Sequence, residues 1–62
     1  MKVDLIYPAG FNLDTKELNI SEIEVKALLA SKKVGSEGKY FPIEEIIFED
    51  TPGGYSITVI LK

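Results

Sequence analysis

The last third of the chain constrains the fold most, because its pattern predicts a β-hairpin. Two apolar, β-branched segments flank Thr51-Pro52-Gly53-Gly54, and Pro52-Gly53 suits the centre of a turn in a four-residue loop. The predicted register pairs Asp50 with Tyr55, Phe48 with Ile57, Ile46 with Val59 and Glu44 with Leu61. A slip by one residue would set carboxylates against Leu61 and Ile57, so the alternation of apolar and polar residues selects this register.

The two strands of this hairpin differ in charge. The first carries Glu44, Glu45, Glu49 and Asp50, whereas Tyr55 to Leu61 carries no charge. A charged strand suits the edge of a sheet and an uncharged strand suits its centre. Glu45 and Glu49 share a face but lie roughly 13 Å apart at about 3.3 Å per residue, which is wider than the about 5 to 9.5 Å between paired catalytic carboxylates. These residues are therefore interpreted as a solvated edge that resists aggregation.

A helix is predicted to begin after Ser21. Ser21 is a good N-cap, and Glu24 three residues later completes a capping box. The strong helix formers that follow predict a helix through Lys33, with Gly35 as its C-terminal cap.

The predicted fold class is α+β, in one domain spanning residues 1–62. Val3 to Tyr7 reads as the first strand, which gives a β-α-β-β chain. Its helix packs on a three-stranded, mainly antiparallel sheet of order 1-3-2 that ends in the C-terminal hairpin. Residues 11–20 are either a loop or a further strand, and the second reading gives ββαββ.

Composition limits the chemistry that this chain can perform. The 62 residues include no Cys, His or Arg, all seven cations are Lys, and the net charge is −3. Without His or Cys, no catalytic, metal-binding or cofactor-binding residue is predicted, and the chain is not expected to be an enzyme. The missing Arg and the negative charge argue against nucleic acid as a partner. Abundant Ile, Lys and Glu are compatible with an AT-rich genome, such as that of a phage or plasmid.

No segment approaches the roughly 18 apolar residues of a membrane span. The segment Val3 to Tyr7 is too short for the apolar part of a signal peptide, and Asp4 interrupts it. A cytoplasmic location is therefore expected.

Two surfaces are candidates for binding another protein. One apolar stripe of the helix, for packing on the sheet, consists of Ile20, Ile23, Ala27, Ala30 and Val34. A second apolar patch at Val25, Leu28 and Leu29 predicts a dimer or partner interface. The lightly charged first strand, with Val3 and Leu5, could pair with a strand of a second chain. In the alternative interpretation, residues of the 11–20 segment cover the helix patch and protect the first strand.

The predicted function is a small, non-catalytic protein-interaction or regulatory module that forms a homodimer and binds an unidentified protein partner. The alternative is a nucleic-acid-associated regulator that uses the hairpin as a wing. Its contacts would come from one basic and aromatic cluster, namely Lys32, Lys33, Lys39, Tyr40 and Phe41. Two aromatic residues before a strand more often close the end of a small core, and that interpretation is favoured.

Overall fold

The chain folds into one curled five-stranded sheet with a single helix. The computed structural model describes all residues from 1 to 62. In chain order, its elements are β1 (Lys2–Ile6), β2 (Lys16–Asn19), α1 (Glu22–Ala30), β3 (Lys33–Ser36), β4 (Lys39–Thr51) and β5 (Gly54–Leu61). The strands are arranged in the order β2-β1-β5-β4-β3. More than half of the residues lie in strands, so the helix is a minor part of the fold.

The prediction of a three-stranded β-α-β-β fold is wrong, and the ββαββ alternative also lacks a strand. The sheet contains β2 and β3 in addition to the predicted strands, and it is mixed. Strands β1 and β5 are parallel, whereas the other three pairs are antiparallel. The predicted antiparallel contact between the first and last strands fails because β3 reverses the chain once more before β4 begins. This extra reversal turns β5 into the same direction as β1.

Strand β3 enters the sheet through a tight hairpin that the sequence pattern did not reveal. Its turn residues, Glu37 and Gly38, have φ angles of 51° and 77°. Positive φ at both central residues is the signature of a type I′ turn, whose twist matches that of paired strands. A side chain at Gly35 would place its Cβ 3.3 Å from the ring of Tyr40, so the glycine lets that ring lie over β3. Gly35 is therefore a strand residue and not a helix cap.

The start of α1 was predicted correctly and its end was not. The Ser21 hydroxyl accepts a hydrogen bond from the Glu24 amide, and the Glu24 carboxylate accepts one from the Ser21 amide. The helix ends at Ala30, with Ser31 as its C-cap, because Lys33 already belongs to β3. With nine residues, this helix is too short to cross a membrane, and it is the only one.

The C-terminal hairpin has the predicted register from Glu45 to Asp50, but the predicted four-residue loop is wrong, because Thr51 and Gly54 also pair and leave a two-residue connection. Asp50 faces Tyr55, Phe48 faces Ile57 and Ile46 faces Val59. Thr51 pairs with Gly54, and the Thr51 hydroxyl donates a 2.6 Å hydrogen bond to the Gly54 carbonyl. The predicted pair of Glu44 with Leu61 is wrong, because an irregularity at Glu44 shifts the ladder so that Ile43 faces Leu61.

The hydrophobic core lies on one face of the sheet, called the core face, under α1. Alternate residues of β1 and β5 point to it, and Val25 of the helix packs against them. Six of the eight core residues come from these two strands or follow them directly. The core consists of Val3, Leu5, Tyr7, Val25, Phe41, Ile57, Val59 and Leu61. The opposite side of the sheet, called the outer face, has no helix against it.

Candidate functional site

The first predicted interface, on the helix, is largely part of the core. Val25 is only 7% exposed, and Leu28 is half-buried against the core cluster. Leu29 differs, since 45% of it is exposed. Val25 is therefore closed to a partner in the folded chain, and Leu29 is the member of this patch that a partner could contact.

The second predicted interface, the edge of the first strand, is closed. Strand β1 pairs with β2 on one side and with β5 on the other, so its backbone has no free edge. Val3 and Leu5 are buried in the core. Of the two interpretations of this edge, the structure has the protected one, because residues 16–19 form the strand that covers β1.

The basic and aromatic cluster does not form one surface. Phe41 is 2% exposed and packs in the core, where it cannot stack on a base. Tyr40 is 77% exposed, but it lies on the outer face because neighbouring strand residues alternate in direction. The Lys39 ammonium lies 4.9 Å from the centre of the Phe11 ring. Lys33 pairs with Pro42 and Lys32 lies just before β3, so the five residues are divided between two faces and the helix–strand connection.

The longest unpaired strand edge belongs to β4. Strand β3 pairs only with Lys39 to Pro42, whereas β4 continues to Thr51. No backbone hydrogen bond outside the ladders reaches the segment from Glu44 to Thr51. The side of β4 that faces away from β5 over this segment, called the open edge, therefore has no partner in the chain. At about 3.4 Å per residue it is roughly 24 Å long.

Backbone groups on the open edge can be assigned from the hairpin register. Thr51 and Gly54 close the ladder around a two-residue connection, so Glu45, Ile47 and Glu49 direct their backbone groups to β5. The intervening residues, Ile46, Phe48 and Asp50, direct theirs to solvent. These N–H and C=O groups can bond to a strand from another molecule.

An exposed apolar cluster borders the open edge at the tip of the hairpin. Phe48 and Tyr55 stack with their ring centres 5.3 Å apart and an angle of 25° between the rings. They are 60% and 58% exposed, and Ile46 beside them is also exposed. We call Ile46, Phe48 and Tyr55 the tip patch. Ile46 and Phe48 belong to the strand that carries the open edge, and Tyr55 of β5 stacks on Phe48, so the patch adds apolar area beside the unpaired backbone.

Carboxylates line the other side of the same edge. Glu45 and Glu49 face Ile60 and Ser56, whose side chains lie on the outer face. Both glutamates are exposed, and the single ion pair of the chain joins Lys2 to Glu17 elsewhere. No three acidic residues lie close enough together to hold a metal ion, and the structure has no pocket. Glu45 and Glu49 thus lie along the open edge on its outer-face side.

The sequence pattern indicated the hairpin but not this surface. The predicted register places Ile46, Phe48 and Tyr55 on one face of the ribbon, but it does not show which part of that face stays exposed. The Glu37-Gly38 pair could have indicated a turn that ends β3 at Ser36. Glu is, however, unusual at a position with positive φ. No protein-family model, no curated protein and no solved structure matches this chain.

Proposed function

We propose that this chain is a non-catalytic protein-interaction domain that receives an extended segment of another protein at the open edge of β4. The observation that carries the proposal is the juxtaposition of unpaired backbone from Glu44 to Thr51 with the tip patch. In strand addition, backbone hydrogen bonds supply affinity, and pockets or apolar surface for alternate side chains supply specificity. The open edge offers the first, and Phe48 with Tyr55 offers the second.

Stability arguments support a surface role for the tip patch. Phe48 and Tyr55 gain from their mutual stacking, but more than half of each side chain remains in water. Covering the two rings with apolar side chains of a partner would add about 25 cal/mol for each Å² removed from water. Covering Phe48 and Tyr55 would thus stabilise the complex with a partner, although these exposed rings contribute little to the folding of the free chain.

Homodimer formation remains a prediction from the sequence. The residues first chosen for it, Val3, Leu5 and Val25, are buried, so a dimer would need another surface. Pairing two copies along the open edge would give the carboxylates of neither chain a cation, because the segment from Glu44 to Thr51 contains four acidic residues and no lysine. The proposed partner is therefore a different protein. A cytoplasmic location is kept as part of this proposal, on the sequence evidence alone.

The proposal is tested by selecting peptides from a random 12-residue display library on the wild-type protein. Enriched peptides are then titrated into isotope-labelled protein, and amide chemical shifts are recorded. We expect the largest changes at Ile46, Phe48 and Asp50. Phe48→Ala should weaken binding about tenfold or more, since a central aromatic contact is commonly worth 2 kcal/mol or more.

The matched control is Tyr40→Ala, which removes another exposed aromatic ring of β4 away from the open edge. This variant should bind the selected peptides as the wild type does. The proposal would be overturned if no peptide is enriched, or if the enriched peptides shift amides elsewhere and lose nothing from Phe48→Ala.

A further inference from the structure

The charges beside the open edge specify the chemistry of the partner. We infer that the accepted segment is an extended basic peptide in which Lys or Arg residues, four positions apart, flank two apolar residues. This inference rests on the proposed strand addition and goes beyond it, because it names the partner by its side chains. The reasoning depends on which face of the sheet each residue of β4 occupies.

Residues that face each other across an antiparallel ladder point to the same side of the sheet. Ile46 faces Val59 and Phe48 faces Ile57, and both partners are core residues, so Ile46 and Phe48 lie on the core face. The alternation places Glu45, Ile47 and Glu49 on the outer face. The open edge is therefore apolar on one side and carries two carboxylates, one on each side of Ile47, on the other.

A strand added at this edge would repeat the same alternation. Its residues opposite Ile46 and Phe48 would lie beside apolar side chains, and those opposite Glu45 and Glu49 would lie beside carboxylates. Directly opposed unlike charges stabilise a strand pair and like charges destabilise it. The complementary segment thus reads basic, apolar, any residue, apolar, basic.

Nothing in the chain neutralises these carboxylates. No lysine occurs between Lys39 and Lys62, and neither glutamate takes part in an ion pair. Asp50 lies at the end of the open edge near the turn, and Glu44 lies at the opposite end. The segment from Glu44 to Thr51 of a second copy contains four acidic residues and no lysine, so it offers no cation to Glu45 and Glu49. A basic segment can place Lys or Arg opposite both carboxylates.

The test uses three peptides that differ only in charge. They are the capped sequences Lys-Val-Thr-Val-Lys, Thr-Val-Thr-Val-Thr and Glu-Val-Thr-Val-Glu, each extended by one Thr at both ends. Their symmetric pattern suits either strand direction. Each is titrated into the isotope-labelled full chain at low and at high salt. We expect the basic peptide to shift Ile46, Phe48 and Asp50, and to bind roughly 2- to 30-fold more tightly than the neutral one.

Charge reversal provides the matched controls. The double variant Glu45→Lys/Glu49→Lys should prefer the acidic peptide to the basic one. The double variant Asp14→Lys/Glu37→Lys changes the net charge equally at exposed loop positions and should keep the original preference. The advantage of the basic peptide should also shrink at high salt, because salt screens exposed charges.

Different outcomes contradict the inference about charge and the proposed strand addition. If the neutral peptide binds at the open edge as tightly as the basic one, the inference about charge is overturned and strand addition stands. If the basic peptide binds but both double variants weaken it equally, the attraction is non-specific and the inference fails. If no peptide shifts the residues of the open edge, strand addition itself is contradicted.

Discussion

Phe41→Ala should remove most of the stability of this protein. Phe41 is buried, and its ring makes edge contacts with Tyr7 at 5.4 Å and with Phe11 at 5.2 Å between ring centres. Truncating a buried Phe costs about 3 to 5 kcal/mol. The free energy of unfolding of a chain this size is about 3 to 9 kcal/mol. Urea denaturation followed by circular dichroism should therefore show a much lower midpoint, or a chain that is already largely unfolded in buffer.

Tyr40→Ala is the matched control for this truncation, because Tyr40 is the adjacent aromatic residue and points to the outer face. Its ring lies over Gly35 but is mostly exposed. We expect a loss of about 1 kcal/mol or less, as for most surface substitutions. Equal losses from the two substitutions would contradict the placement of Phe41 in the core and would reopen its interpretation as a surface residue.

Val25→Glu should unfold the protein, whereas Leu29→Glu should not. Val25 lies in the core cluster, so a carboxylate there would lose its hydration without gaining a partner. We expect a loss of about 4 kcal/mol or more, in the range typical of an uncompensated buried charge. Leu29 lies one turn further along the same helix and is 45% exposed, so its substitution should cost about 1 kcal/mol or less.

Sedimentation and circular dichroism of both variants decide between core and interface. If Val25→Glu gives a folded monomer while the wild type is a dimer, Val25 belongs to an interface and its placement here is wrong. If Leu29→Glu converts a wild-type dimer into a folded monomer, the helix surface around Leu29 is the dimer contact. A monomeric wild type at micromolar concentration would end the prediction of self-association.

Local sequence patterns predicted the parts of this fold that depend on local physics. Ser21 and Glu24 are three residues apart, and a capping box needs nothing more distant. The register of Glu45 to Asp50 follows from the turn and from the alternation of apolar residues between adjacent strands. The irregularity at Glu44 could not be predicted from that alternation, because an extra residue in one strand leaves no distinct pattern in the sequence.

The sequence indicates β2 only as one of two alternatives and does not indicate β3, because both strands are short and weakly patterned. Strand β2 has four residues, of which Leu18 alone packs against the core. Strand β3 contains Gly35, which is unfavourable in a strand unless another group approaches closely, and here the Tyr40 ring does. Both strands have a large effect on the fold: β2 closes the edge of β1, and β3 reverses the direction of β4 relative to β1.

The candidate site could be predicted only in part for the same reason. The pattern shows that Ile46, Phe48 and Tyr55 share a face, but exposure depends on which distant elements cover that face. Strand β3 covers β4 only as far as Pro42, and β1 covers β5 from Ser56 to Ile60. Ile46 and Phe48 therefore lie beyond the part of β4 that pairs with β3, and Tyr55 lies beyond the part of β5 that pairs with β1.

Amide hydrogen exchange of the free protein, read residue by residue by nuclear magnetic resonance, tests the central claim most directly. Along the segment from Glu44 to Thr51, amides bonded to β5 should exchange slowly and amides of the open edge should exchange rapidly. We expect slow exchange at Glu45, Ile47 and Glu49, and fast exchange at Ile46, Phe48 and Asp50. Slow exchange at all six positions, at every protein concentration, would show that this edge is already occupied and would contradict the account.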